Sequence, residues 1–329
     1  MLDLSAKPKL LVLIGPTAVG KTKLSLDLAQ QFGCEIISGD SMQVYRGMDI
    51  GTAKATEAER AVVPHHLIDI HDPSYPFSAA EFQERVKQLI PDIHARGKLP
   101  FIVGGTGLYI ESVCYNYQFT EVAMDEAFRQ EQELYAVRNG DEALHRRLQE
   151  VDPVTAERLH ANDRRRIIRA LEIAHVSGKP MSEHLAGQKK ESPYELCIIG
   201  LTMDRAKLYA RIEERIDLMM QEGLVDEVRS LLEAGCPRDA ISLQGLGYKE
   251  MVTYLDGFRT LDEAAILLKR DTRRFAKRQL SWFRHMKDIH WVDVTDTANF
   301  SAHFQKISDI IAGKFVQKLE YNQQQLPLK

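Results

Sequence analysis

Short apolar runs at residues 10–14, 35–38, 67–70, 100–103 and 196–201 are too brief for buried helices and lack the alternation of a half-exposed strand. Each reads as a strand covered on both faces. Between them, apolar residues recur at helical spacing over 23–32, closed by Gly33, and over 79–94, followed by Gly97 and Pro100. Strand alternating with helix predicts an α/β chain whose parallel sheet is flanked by helices. From 116 to 190 the strand signal disappears, and helical periods such as 141–150 and 164–175 replace it, which predicts an inserted all-helical module. Strand character returns at 196, amphipathic helices are expected over 207–234, 261–269 and 270–286, and the polar tail 320–329 is expected to fray. The expected organisation is a first core part over 1–115, a helical insertion over 116–195, and completion of the core with C-terminal helices over 196–329.

A chain of 329 residues exceeds what one hydrophobic core usually serves, which agrees with a core plus an inserted module. With 44% hydrophobic and 27% charged residues, the composition excludes a fibrous repeat or a disordered chain. The formal net charge of -4 gives no global attraction to nucleic acid or anionic lipid, so an anionic macromolecule has to be met by a local basic patch. Cys34, Cys114, Cys197 and Cys236 are scattered and form no CxxC, so they point to neither a zinc site nor a disulfide framework and fit a reducing compartment. No signal-like N-terminal stretch or membrane-length apolar window is present, so the expected location is cytoplasmic, with no membrane partner.

Gly15-Pro16-Thr17-Ala18-Val19-Gly20-Lys21-Thr22 fits G-x-x-x-x-G-K-[ST] and stands between an expected strand and an expected helix, the context its chemistry needs. Glycines let the backbone curl so that N–H groups converge, the helix N-terminus adds positive potential, Lys21 reaches phosphate oxygens, and Thr22 offers a hydroxyl to magnesium. The motif implies a di- or triphosphate and leaves open which one. Asp40 follows the second expected strand, where open parallel sheets present residues to a ligand. Its carboxylate is either a proton acceptor beside the phosphates or, with Ser41, a strand-end cap. Gly104-Gly105-Thr106-Gly107 brings a hydroxyl and free N–H groups to the same edge. His65 and His66 lack partners at ligand spacing and read as structural.

Arginines 164, 165, 166 and 169 share one expected helix, with Ile167, Ile168 and Leu171 as its buried stripe. Guanidinium forks suit phosphodiester oxygens, and a salt-bridged face with Asp163 and Glu172 is the alternative. Between 269 and 287, eight Lys or Arg residues stand against an acid at 271, while Leu268, Phe275, Trp282 and Met286 are expected to share an apolar stripe. Arg205, Arg211 and Arg215 follow the strand at 196, and either close over the phosphates or pair with Glu213, Glu214 and Asp217.

Taken in order, the phosphate loop, Asp40-Ser-Met-Gln-Val-Tyr45, Met48-Asp-Ile-Gly-Thr-Ala-Lys54, Gly104-Gly-Thr-Gly-Leu-Tyr109, Arg165-Arg-Ile-Ile-Arg-Ala-Leu-Glu172, Gly247-Tyr-Lys-Glu250 and Lys277-Arg-Gln-Leu-Ser-Trp-Phe-Arg284 resemble the tRNA dimethylallyltransferase family over nearly the whole chain. The resemblance implies a P-loop NTPase-like fold whose loop holds dimethylallyl diphosphate with Mg2+, and a tRNA anticodon stem-loop as partner. It also implies transfer to the N6 of the adenine just 3′ of the anticodon, with Asp40 as base, Thr106 assisting, and Lys21, Arg211 and Arg215 at the diphosphate. Asp40, Ser41, Met42, Gln43, Thr106, Arg129, Arg164, Arg165, Arg166, Ile167 and Ile168 are the implied tRNA contacts. No C-x2-C follows Cys236, so the chain resembles the compact bacterial form, expected as a monomer. Two other readings remain open from the residues: a small-molecule kinase holding ATP on the same loop, and a nucleotide-switched RNA-binding protein.

Overall fold

The computed structural model describes residues 7–120 and 122–315, so the tail at 320–329 lies outside the described residues. The chain divides into two compact units, one of Met1–Asn116 with Ser192–Lys329 and the other of Tyr117–Glu191.

The first unit is built on β1 (Lys9–Ile14), β2 (Cys34–Gly39), β3 (His65–His66), β4 (Leu99–Gly104), β5 (Glu195–Thr202) and β6 (Ile289–Asp293), paired in the order β3-β2-β4-β1-β5-β6. Every pairing is parallel. Leu10, Leu11, Val12, Leu13 and Ile14 are all 0% exposed, so both faces of β1 are covered. Each such side chain contributes about 1.5–3 kcal/mol over leaving it in water, which fixes β1 at the centre of the sheet. Ile14 pairs with Gly104, and Gly104 in turn with Gly39. The segments that follow β1, β2 and β4 therefore leave the sheet at one level, on the edge where parallel sheets place ligands.

Local chemistry moved several element boundaries. No strand forms at the expected 67–70; only the two residues of β3 just before it pair with β2, because Leu67 and Asp69 take positive φ values of 62° and 55°. The Asp69 carboxylate there binds the buried Lys54 ammonium at 2.5 Å and Arg60 at 2.7 Å, while Ile70 N donates to Val44 O. The expected helix over 207–234 is two helices, Arg205–Gln221 and Leu224–Glu233, because Gly223 at φ 99° interrupts the hydrogen-bond ladder. The two expected over 261–286 are one helix, Leu261–Phe283, which opens on a capping box between Thr260 and Glu263 and contains no glycine or proline. Its buried face is Ala264, Leu268, Ala276, Gln279 and Phe283, so Phe275 and Trp282 do not belong to the core stripe. β6 and the helix Phe300–Phe315 went unread in the sequence; only Val292 of β6 is buried, leaving almost no apolar signal.

The second unit contains only helices among its described residues, including Glu126–Asn139, Asp141–Val151 and Arg164–Ser177. Its own small core includes Leu144, Leu148, Ile167, Ile168 and Leu171. Within it Glu172 is fully buried and accepts Arg129 Nε at 2.8 Å, Arg169 Nη1 at 2.6 Å and Asp125 N at 2.8 Å. Burial alone would raise its pKa, yet the hydrogen bonds from Arg129 and Arg169 hold it below the ordinary value. Among the described residues, no helix is long and apolar enough to cross a membrane.

A carboxylate also anchors the sheet. Glu35 of β2 accepts Arg96 Nε at 2.9 Å and Nη2 at 2.7 Å, with His66 Nε2 at 2.7 Å, and these contacts pull its pKa from 4.5 to about 2. A carboxyl with a depressed pKa stabilises the fold fully above its unfolded value and loses that contribution as pH falls through the folded one. Glu35→Gln is therefore expected to lower the urea midpoint at pH 7, and to remove part of the loss of stability between pH 4.5 and about 2 that is expected of the unmodified protein.

Candidate active site

Residues 15–20 link β1 to the helix Lys21–Phe32, and Gly20 takes φ 104° where the loop turns into the helix. That left-handed geometry suits glycine because it has no Cβ. Lys21 folds back over its own loop, donating from Nζ to Gly15 O at 2.9 Å and Pro16 O at 2.8 Å. Arg211, on the helix Arg205–Gln221, donates from Nε to Ala18 O at 2.9 Å. Burial and then the nearby Arg215 charge push the Lys21 ammonium down to about 7, with Asp40 opposing them. Burial likewise lowers the Arg215 pKa, and Asp40 again opposes. Cations held in this way, close together and short of counter-charge, form a site for a polyanion.

Two cavities meet at this edge. The larger, of about 440 Å³, is lined by Lys21, Thr22, Arg211 and Arg215, with Ser38 and Gly105. The other, of about 320 Å³, carries Thr106 and Met42 beside the apolar Ile212, Ile216, Leu246 and Leu268. Thr17, Ala18, Asp40, Thr52, Arg215 and Phe275 line both, so Asp40 stands on a shared wall. One oxygen of Asp40 accepts Met42 N at 2.8 Å. The Thr106 hydroxyl accepts Ser41 N at 3.1 Å, while Thr106 N donates to Gly39 O at 3.2 Å. Gln43 is occupied within the loop, accepting Ser38 Oγ at 2.8 Å.

The structure thus gathers Asp40, Thr106, Lys21, Thr22, Arg211 and Arg215 in one unit, around cavities that share walls. The alternative pairing of Arg211 and Arg215 with helix acids is not adopted: Glu213 binds Arg273 at 2.6 Å, and Asp217 binds Lys269 at 2.6 Å. In the basic stretch, Arg270 and Arg274 share Asp271, leaving Lys277, Arg278, Arg284 and Lys287 exposed. His66 contacts Glu35 and His65 the Val63 carbonyl, and among the described residues no group of three His, Cys, Asp or Glu could hold a metal.

The helical unit carries the remaining candidates. Ile167 and Ile168 are 0% and 6% exposed and belong to its core, so they are corrected from tRNA contacts to packing residues. Arg129 is engaged by Glu172, and Arg164 by Glu133 and Asp141 at 2.7 Å each. Arg165 is exposed, and Arg166 meets Asp163 only at 3.8 Å. The charge run divides accordingly into structural arginines and free ones.

A family sequence model described as IPP transferase matches residues 43–286. The chain belongs to that family. It is 55% identical over 308 residues to the tRNA dimethylallyltransferase of Bacillus licheniformis, covering 94% of this chain and 98% of that one. It is 53% identical over 310 residues to the tRNA dimethylallyltransferase of Bacillus subtilis, covering 94% and 98%. Among solved structures, the full-length tRNA isopentenylpyrophosphate transferase of Bacillus halodurans is 50% identical with a TM-score of 0.73, covering 96% of this chain and all of that one. A eukaryotic dimethylallyltransferase acting on tRNA is 30% identical with a TM-score of 0.79, covering 94% and 80%. The phosphate loop and Asp40 precede the span of the family model, so their geometry stands as a separate observation.

The sequence did not mark Thr52, Phe275 and Gln279 as site residues. The first two line both cavities; Gln279 lines the larger and is 6% exposed. A single glutamine standing at the period of an otherwise apolar helix face was the available signal for Gln279. A lysine with a pKa near 7 is partly neutral in the free protein, so an arriving polyanion draws a proton onto it. The affinity advantage of the unmodified protein over Lys21→Ala for inorganic diphosphate is expected to shrink as pH rises from about 7 to 9, by up to about tenfold per unit. Titration calorimetry in buffers of different ionisation heat checks both the trend and the proton uptake.

Proposed function

We propose that the paired cavities are where a dimethylallyl group passes from its diphosphate to the N6 of the adenine 3′-adjacent to a tRNA anticodon. The chain belongs to a family of tRNA prenyl transferases, and the observation that carries the assignment of the site is Asp40 on the wall between the two cavities. The adenine amino lone pair is delocalised into the ring, so a base that accepts its proton as the bond forms lowers the barrier. In the step, N6 bonds to C1 of the dimethylallyl group, the C1–O bond breaks with its electron pair leaving on the diphosphate, and the N6 proton passes to the Asp40 carboxylate. Met42 N holds one Asp40 oxygen in place. Lys21, Arg211 and Arg215 receive the charge that builds on the leaving group, in a setting where burial strengthens their pull.

The oxygen donors of the larger cavity suit magnesium, which prefers a few protein oxygens and keeps the rest of its shell from water and phosphate. The Thr22 hydroxyl would hold it, and when bound the ion supplies further neutralisation of the diphosphate. The adenine has to leave its stack to reach Asp40, as in other base-modifying enzymes. Arg165 and Arg166, exposed on the helical unit, are cations open to an anticodon stem-loop.

Incubation with tRNA and either labelled dimethylallyl diphosphate or labelled ATP separates this reading from phosphoryl transfer; label is expected on RNA from the prenyl donor alone. Asp40→Asn keeps the shape and the Met42 hydrogen bond, so single-turnover transfer is expected to fall about 10²- to 10⁴-fold while both substrates still bind. A rate within about threefold of the unmodified protein would make Asp40 a strand-end cap. For tRNA, replacing Arg165 and Arg166 together with alanine is expected to weaken binding. The log–log salt slope should flatten by about 1.4 to 1.8, two phosphate contacts' worth, with diphosphate affinity unchanged.

A further inference from the structure

Gln279 lies on the buried face of the helix Leu261–Phe283, where every other buried position is apolar. Its Oε1 accepts Thr17 N of the phosphate loop at 2.9 Å, and its Nε2 donates to Gly105 O at 3.0 Å. A backbone N–H only donates and a carbonyl only accepts, so these partners fix the amide in one orientation. A Cβ added at Gly105 would stand 2.2 Å from Nε2, so the glycine is what admits the glutamine. Beyond Gly105, the Thr106 hydroxyl accepts Ser41 N, next to Asp40. Three segments far apart in sequence are thereby joined through one side chain, and burial of an amide without partners would be costly.

We infer that Gln279 is a positioning residue, tying the phosphate loop to the loop of Thr106 so that occupancy of the first sets the place of the hydroxyl beside Asp40. The inference rests on the transfer reading for its effect on rate, but the coupling itself is observable without catalysis. Hydrogen exchange with and without inorganic diphosphate reads it directly: in the unmodified protein, protection is expected in peptides covering both 15–22 and 104–107. Gln279→Met, of similar length without either hydrogen bond, should confine protection to 15–22. It should also lower kcat roughly ten- to hundredfold, with KM for the prenyl diphosphate within about threefold, the pattern of misplaced rather than missing groups. Gln279→Glu keeps the acceptor for Thr17 N but loses the donor to Gly105 O, and it decides the matter if the methionine variant fails to fold. Protection at 104–107 that persists in a folded variant, its absence in the unmodified protein, or a kcat within about twofold would overturn the inference. Transmitted protection in a protein that never prenylates tRNA would leave the bridge standing and remove the transfer reading instead.

Discussion

The level alignment of three strand ends is the constraint on which the site depends. Ile14, Gly39 and Gly104 lie in register across β1, β4 and β2, so the phosphate loop, the Asp40 segment and the Gly105–Thr106 segment all begin at one height. Two of those ends must be close together: a Cβ on Gly104 would stand 2.3 Å from Gly39 O. A side chain there would force β2 and β4 apart, and with them Asp40 from Thr106. Thr106 N donating to Gly39 O continues this approach beyond the sheet.

On that frame the chain concentrates positive charge with little to neutralise it. Lys21, Arg211 and Arg215 line one cavity with Glu214, and Asp40 opposes the lowering of both Lys21 and Arg215, joined at Arg215 by Glu222. The carbonyls of Gly15, Pro16 and Ala18 take hydrogen bonds from Lys21 and Arg211, which holds the cations without cancelling their charge. An entering diphosphate supplies the missing counter-charge, and the site need not reorganise far to receive it. The helical unit treats charge in the opposite way. There Glu172 is fully buried and met by two guanidinium groups and a backbone N–H, so that removing either guanidinium would leave the buried carboxylate with a single cationic partner.

The same arginine run shows how one composition serves two purposes. Arg164 and Arg169 are bound to acids, and Ile167 and Ile168 close the core of the unit, while Arg165 and Arg166 point outward. Helical periodicity had placed the isoleucines inside, and the segment-wide likeness to a family had placed them on RNA. Packing favours the first, because side chains 0% and 6% exposed offer almost no surface to a partner.

By itself the sequence determined the alternating strands and helices, the phosphate loop with its flanking context, and the interruption by a helical module, because these are encoded in local periodicity and in glycines at fixed offsets. The ordered motifs also identified the family, through types and spacings that need no coordinates. What only the tertiary structure decided is which residues meet. Gln279 joins Thr17 and Gly105 across separations of 262 and 174 residues, and no local signal encodes such a contact. The short β3, followed by a segment that Asp69 ties to Lys54 and Arg60, and the edge strand β6, laddered to β5, were likewise settled by long-range pairing. Propensity describes a residue's own backbone, whereas a functional site is made of distances between residues that the chain brings together only when it closes its core.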